Sequence, residues 1–165
     1  MVRDLVGEQD VLVSGQVGPM EDGYRAGGIT VEQAERYHGR QVATLARAGA
    51  DLVGAMTMSS WEEGAGVALA GRGAGVPTTV GFTVETDGRL PSGGGLGEAV
   101  VAVDAASGGY PAYYTVNCAH PLHFRNVLEE ARDGGREWVG RIGEVRLDDD
   151  VDDDNDDVND DNDGD

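Results

Sequence analysis

The segment PAYYTVNCAHPLHF, residues 111–124, holds the only cysteine of the chain and two of its three histidines. Cys118, His120 and His123 form the pattern C-x-H-x2-H, three groups that can each bind a transition metal. A tetrahedral zinc site usually draws its ligands from separated segments, and one short segment rarely supplies a full set. A Cys–His nucleophile is a second reading, because the segment runs toward a helix N-terminus, where a thiolate is stabilised. The third reading is structural: a small buried thiol at a strand end, with histidines decorating the first turn of a helix. Spacing alone leaves all three open.

Other chemistry-bearing residues have bland alternatives of the same kind. Glu85 and Asp87 follow an apolar run and suit a carboxylate pair, but Asp87-Gly88 also suits a turn. GQVGP (15–19) with DGYR (22–25) looks like a phosphate loop, yet it matches neither G-x-G-x-x-G nor the P-loop pattern. Tyr24 and Trp61 can line a pocket or pack at its rim.

Elements able to position these residues are readable from periodicity. DVLVSG (10–15), ADLVGAMTM (50–58), PTTVGFTV (77–84) and AYYTVN (112–117) are short, largely continuous apolar runs, as expected of strands buried in a parallel sheet. Between them, Thr30 with Gln33 and Ser60 with Glu63 are capping-box pairs that predict helices over 31–48 and 61–72. Two more amphipathic patterns predict helices over 96–106 and 122–131. Strand and helix alternate four times, which predicts an α/β fold of right-handed βαβ units. Long glycine-rich connections at 15–28 and 85–97 would stand at the carboxyl ends of the strands, the edge where active sites of such folds are built.

Composition narrows the function classes. The net charge of −19 is concentrated in residues 148–165, which hold twelve aspartates and no base, so the remaining 147 residues carry only −7. That tail cannot bury apolar surface and is expected to be a disordered acidic C-terminal segment, 148–165, following a folded domain, 1–147. NDDNDG (159–164) resembles the opening of an EF-hand loop but lacks the acid at position 12 and the exit helix, leaving calcium binding a minor alternative. Every base is arginine, with no basic stripe and interleaved aromatics, so nucleic acid is not expected as a partner. No apolar run nears the roughly 20 residues of a membrane span, and charges at Arg3, Asp4, Glu8 and Asp10 interrupt any signal-peptide core. With a single cysteine no intrachain disulfide can form, and a cytoplasmic location is the expectation.

Three segments taken in order are more specific than their parts. SGQVGPMEDGYRAGGITVEQAERYHGRQVATLARAGADLV, GFTVETDGRLPSGGGLGEAV and PAYYTVNCAHPLHF together resemble the homocysteine S-methyltransferase family, which is similar to betaine–homocysteine methyltransferase and the homocysteine module of methionine synthase. The resemblance covers roughly residues 10–131 and implies a (β/α)8 TIM barrel, of which this chain carries about four βα units, corresponding to strands three through six. It also implies zinc held by three cysteine thiolates, homocysteine and a small methyl donor as partners, and methionine as product. Asn117-Cys118 matches the first ligand position, making Cys118 the implied metal residue. The adjacent cysteine pair of the family is absent from these 165 residues, so activity of the chain by itself is in question and no catalytic residue is assigned. Met56 stands where many relatives carry a substrate-holding glutamate; Glu62 or Glu63 could lie near that place. A partial barrel would expose unpaired strand edges and an apolar sheet face, so self-association or complementation without catalysis is the alternative reading.

Overall fold

The computed structural model describes residues 11–25 and 28–147. Expectations for the N-terminal decade, for the disordered tail 148–165 and for the calcium loop 159–164 lie outside the described residues. The strands are β1 (Ser14–Val17), β2 (Leu52–Met58), β3 (Thr78–Phe82), β4 (Tyr114–Ala119) and β5 (Ile142–Leu147), all parallel and in sheet order β1-β2-β3-β4-β5. The helices α1 (Val31–Arg47), α2 (Trp61–Ala74), α3 (Leu96–Ser107) and α4 (Pro121–Asp133) fill the crossovers, with a 3-10 turn at Glu137–Arg141 before β5. Four βα units are therefore present, as expected, and a fifth strand follows them. Among the described residues no helix is long and apolar enough to cross a membrane.

Local chemistry explains most boundaries. Thr30 and Gln33 form the complete capping box of α1, with bonds of 3.3 and 3.0 Å. Gly75 and Gly108 end α2 and α3 at φ 68° and 67°, a left-handed turn that costs little without a Cβ. The first strand departs from expectation. Val11 and Leu12 are exposed, and pairing starts only at Ser14 opposite Leu52, where β2 itself begins. Just upstream, Val13 is tied to Asp51 instead of to a strand partner, its carbonyl accepting the Asp51 amide and its amide donating to the Asp51 carboxylate, both at 2.8 Å. Residues 142–147, IGEVRL, carry too few consecutive apolar side chains to stand out, and they become a strand because β4 offers an edge.

The core lies between the sheet and one layer of helices. Val53, Ala55, Val80, Phe82, Tyr114 and Val116 point from the strands toward Ala65, Ala68, Leu96, Val100 and Val103. Phe82 and Tyr114 lie nearly parallel, with ring centroids 6.2 Å apart. Gly66 of α2 faces Ala34 and the backbone of α1 so closely that a Cβ would collide with both, which sets the spacing of those helices.

The opposite face of the sheet is less apolar than expected. Register partners Gln16, Gly54 and Thr79 share it, as do Gly81 and Thr115, with Asn117 beyond. By strand alternation half-buried Leu52 and Tyr113 lie on it too, so small and polar residues are mixed there with a few large apolar ones.

At the amino ends of β4 and β5 a compact polar clamp joins the fifth strand to the rest. Arg141 donates two bonds of 3.0 Å to the Asp104 carboxylate and one of 2.7 Å to the Pro111 carbonyl. Tyr114 donates to the same carboxylate at 2.7 Å, and burial together with that bond pushes its phenol well above the usual tyrosine range. The hydroxyl therefore remains a donor. Replacing Asp104 by Ala leaves the buried Tyr114 hydroxyl and the Arg141 guanidinium short of a partner, and should cost about 1–3 kcal/mol in urea unfolding. Tyr114→Phe, which removes donor and demand together, should cost less of the clamp than Asp104→Ala.

Candidate functional site

The carboxyl edge of the sheet carries two backbone irregularities in corresponding places. Thr57 has φ 60° and Cys118 φ 54°, the two non-glycine residues with left-handed backbone among those described. Register shifts occur at the same points, between Ala55 and Met58 and between Asn117 and Ala119. A left-handed backbone costs an L-residue roughly 1–2 kcal/mol, and more sterically for β-branched threonine. Bulges of this kind re-aim a side chain at a strand end.

Their effect is to bring side chains of two non-adjacent strands together. Asn117, 1% exposed, reaches across β3 and donates from Nδ2 to Thr57 Oγ1 at 2.6 Å, while its Oδ1 accepts the Thr57 amide at 3.2 Å. Gly81 makes the crossing possible, because a Cβ there would overlap Asn117 Oδ1 and Thr115 Oγ1. The Thr57 hydroxyl donates to Cys118 Sγ at 3.3 Å, and Asn117 Nδ2 lies 3.4 Å from the same sulfur. Buried Thr83 fixes the Cys118 carbonyl with a 3.0 Å bond. Cys118 itself is a free, exposed thiol, so the structural reading as a buried strand-end residue does not hold.

The loops after β1 and β3 converge on the same edge. The Ser59 hydroxyl donates to the Arg25 carbonyl at 3.2 Å, and its carbonyl accepts the Ser92 amide at 3.1 Å. Gly23 packs against Thr57 so tightly that a Cβ would meet the threonine methyl at 2.7 Å.

The remaining candidates separate into structural roles. His120 caps α4, its Nδ1 accepting the Leu122 amide at 3.2 Å, and its ring lies 5.7 Å from that of His123. Asp87 serves the turn: its Oδ1 accepts the Arg89 amide at 3.0 Å next to Gly88 at φ 76°. In the supposed phosphate loop, Asp22 bonds the Tyr24 amide through its side chain and the Arg25 amide through its carbonyl. Trp61 packs half-buried on the core, Tyr24 is exposed, and Met56 is half-buried beside Thr57. The Glu63 carboxylate is engaged by the Met20 amide and by His38.

As a metal centre this edge is incomplete. Among the described residues no group of three His, Cys, Asp or Glu side chains could hold an ion. One cysteine sulfur suits zinc; the donors among the described residues do not close a site around it.

A profile of the family described as homocysteine S-methyltransferase matches residues 1–149. Among solved structures the chain is similar to the homocysteine methyltransferase MmuM from Escherichia coli in its metallated form, at TM-score 0.63 and 19% identity over 83% of this chain and 57% of that one. The apo form gives TM-score 0.61 and 19% identity over 83% and 58%. The oxidized form gives TM-score 0.57 and 20% identity over 83% and 57%. At such identities the likeness shows the fold, and this chain spans less than three fifths of those structures. Comparison with curated proteins yields no match.

The strain at Cys118 has a measurable sign. Because glycine adopts φ 54° freely, Cys118→Gly should be more stable than Cys118→Ala by about 1 kcal/mol in urea titration, with the two lost sulfur contacts common to both. Thr57→Val, which strips donor and acceptor from between Asn117 and Cys118, should cost about 1–3 kcal/mol, and Thr57→Ser should restore most of it.

Proposed function

Because this chain belongs to the homocysteine S-methyltransferase family, we propose that it supplies one part of a thiol-methylating centre, with Cys118 as one of three thiolates that hold zinc. The observation that carries the proposal is the presentation of the Cys118 sulfur: free, exposed, at the carboxyl end of β4, and held by Thr57 and Asn117 on a strained backbone. The fold agrees, since five parallel strands alternating with helices match part of the MmuM barrel. In such barrels the reacting groups sit on the loops at this end.

Zinc, when bound, favours the thiolate form of a coordinated thiol over the free thiol with its pKa of about 8.5. Homocysteine is the proposed acceptor: its sulfur forms the new bond to the methyl carbon as the donor's bond to that carbon breaks with its electron pair, giving methionine. S-methylmethionine and betaine are the donor chemistries to test. What this chain's residues do is narrower. Thr57 and Asn117 fix one ligand sulfur, Thr83 fixes its carbonyl, and the loops around Gly23 and Ser92 wall the edge. A cytoplasmic setting fits the unpaired thiol.

The second reading is a non-catalytic fragment that acts by self-association or complementation. It is favoured by a specific observation, the presence of one cysteine where the proposed centre needs three.

Metal analysis separates the two. The purified chain should hold zinc well below one equivalent, and a stoichiometric, tightly bound ion would contradict the partial-centre reading. Co-expression with a segment carrying a Gly-Gly-Cys-Cys sequence should bring zinc to one per complex and yield methionine from homocysteine, with both lost in Cys118→Ser. Complex formation without metal or methyl transfer would favour the non-catalytic reading.

A further inference from the structure

Ser60 and Glu63 are placed in sequence as the two ends of a capping box, yet only half of it forms. Ser60 Oγ accepts the Glu63 amide at 3.4 Å, while the Glu63 carboxylate turns away from its own helix end. Its Oε1 instead takes the Met20 amide at 2.6 Å and His38 Nε2 at 2.9 Å. Glu63 is 4% exposed and His38 1%. A carboxylate this deep is costly unless it is paired and hydrogen-bonded, so its partners are not incidental.

Those partners lie on different elements. His38 sits in the middle of α1, with the Tyr37 ring edge-on at 4.9 Å and Nδ1 without a hydrogen-bond partner, so contact with Glu63 is its polar role. Met20 belongs to the loop after β1. The same loop meets the β2–α2 turn twice more, through Arg25 with Ser59 and through Gly23 with Thr57. Thr57 in turn contacts the Cys118 sulfur.

We propose that Glu63 and His38 are positioning residues for the loop 18–25: the buried carboxylate holds the Met20 amide, seats Gly23 against Thr57, and through Thr57 sets the place of the Cys118 sulfur. This rests on the reading of the edge as the reacting one, but its test needs no metal and no methyl transfer. Both residues act at a distance from the sulfur.

Amide hydrogen exchange on the full chain reads the first link. In Glu63→Leu the Met20 amide should exchange at least about tenfold faster, while the core amides of Val53 and Val80, bonded to Pro77 and Tyr113, keep their rates. Glu63→Gln retains an Oε1 acceptor and should return Met20 to within about threefold of the parent rate. A Met20 rate unchanged in Glu63→Leu, or rising in step with Val53 and Val80, or not rescued by Glu63→Gln, would overturn the proposal. His38→Phe keeps a ring in the helix contact and removes the donor; if Glu63→Leu does not fold, this variant must show the same selective acceleration of Met20 for the idea to stand. The second link is read by alkylation of Cys118 with iodoacetamide at one fixed pH. Its rate should shift in Glu63→Leu and recover in Glu63→Gln, and an unmoved rate would sink the link to the sulfur. Absence of methyl transfer in every complex would defeat the functional reading while leaving both of these readouts intact.

Discussion

The arrangement of the carboxyl edge depends on an absence, the missing side chain of Gly81. With the middle strand bare at that point, a buried amide from β4 can span it and pair both ways with Thr57 of β2. Each partner then settles a demand of the other: the amide oxygen takes a backbone N–H that the left-handed turn at Thr57 would otherwise orphan, and the amide nitrogen takes a hydroxyl oxygen. Two irregular strand ends are thereby locked to each other across an intact strand. The strain at φ 60° and 54° persists because these bonds, each worth about 1 kcal/mol net, over-determine the geometry.

Around this lock the turn between β2 and α2 acts as a hub. Ser59 and Ser60 of the turn, with Thr57 at the end of β2 and Glu63 in the first turn of α2, bond forward to α2, sideways to the loops after β1 and β3, and across to β4. The polar groups involved are largely buried and largely satisfied, so the hub is expected to move as a unit rather than piecemeal. The clamp of Arg141, Asp104 and Tyr114 does the corresponding work at the other end of the sheet, where it delivers β5 to the edge of β4. The clamp and the Thr57–Asn117 lock thus sit at opposite ends of the strands.

Much of the architecture was legible in the sequence because it follows from short-range rules. The capping box at Thr30, the glycine stops after α2 and α3 and the apolar runs of β2, β3 and β4 all carry their reason in neighbouring residues. What escaped depends on partners far along the chain. IGEVRL has no strong strand pattern and needs the edge of β4; VLV at 11–13 has the pattern, but β2 begins only at Leu52 and the last of the three is held by Asp51 instead. At the site, Cys118 and its Asn117 neighbour were visible through resemblance, whereas Thr57 was not. A threonine in MTM reads as ordinary strand, and nothing in the letters announces a positive φ. Glu63 misled in an instructive way, since its capping position was right and its carboxylate was recruited 43 residues back by Met20.

The face opposite the helices, where glutamine, glycine, threonine and asparagine outnumber Leu52 and Tyr113, also bears on how this sheet would meet a second polypeptide. A surface of amides, hydroxyls and bare backbone is wetted by water at little cost, so it exerts no general pull on apolar material. Among the described residues β1 and β5 are the outer strands of the sheet, and a neighbour pairing with either would have to match its direction and alignment. Recognition on such terms is a matter of fit between ladders, and an incoming segment one residue out of step would present every side chain to the wrong side.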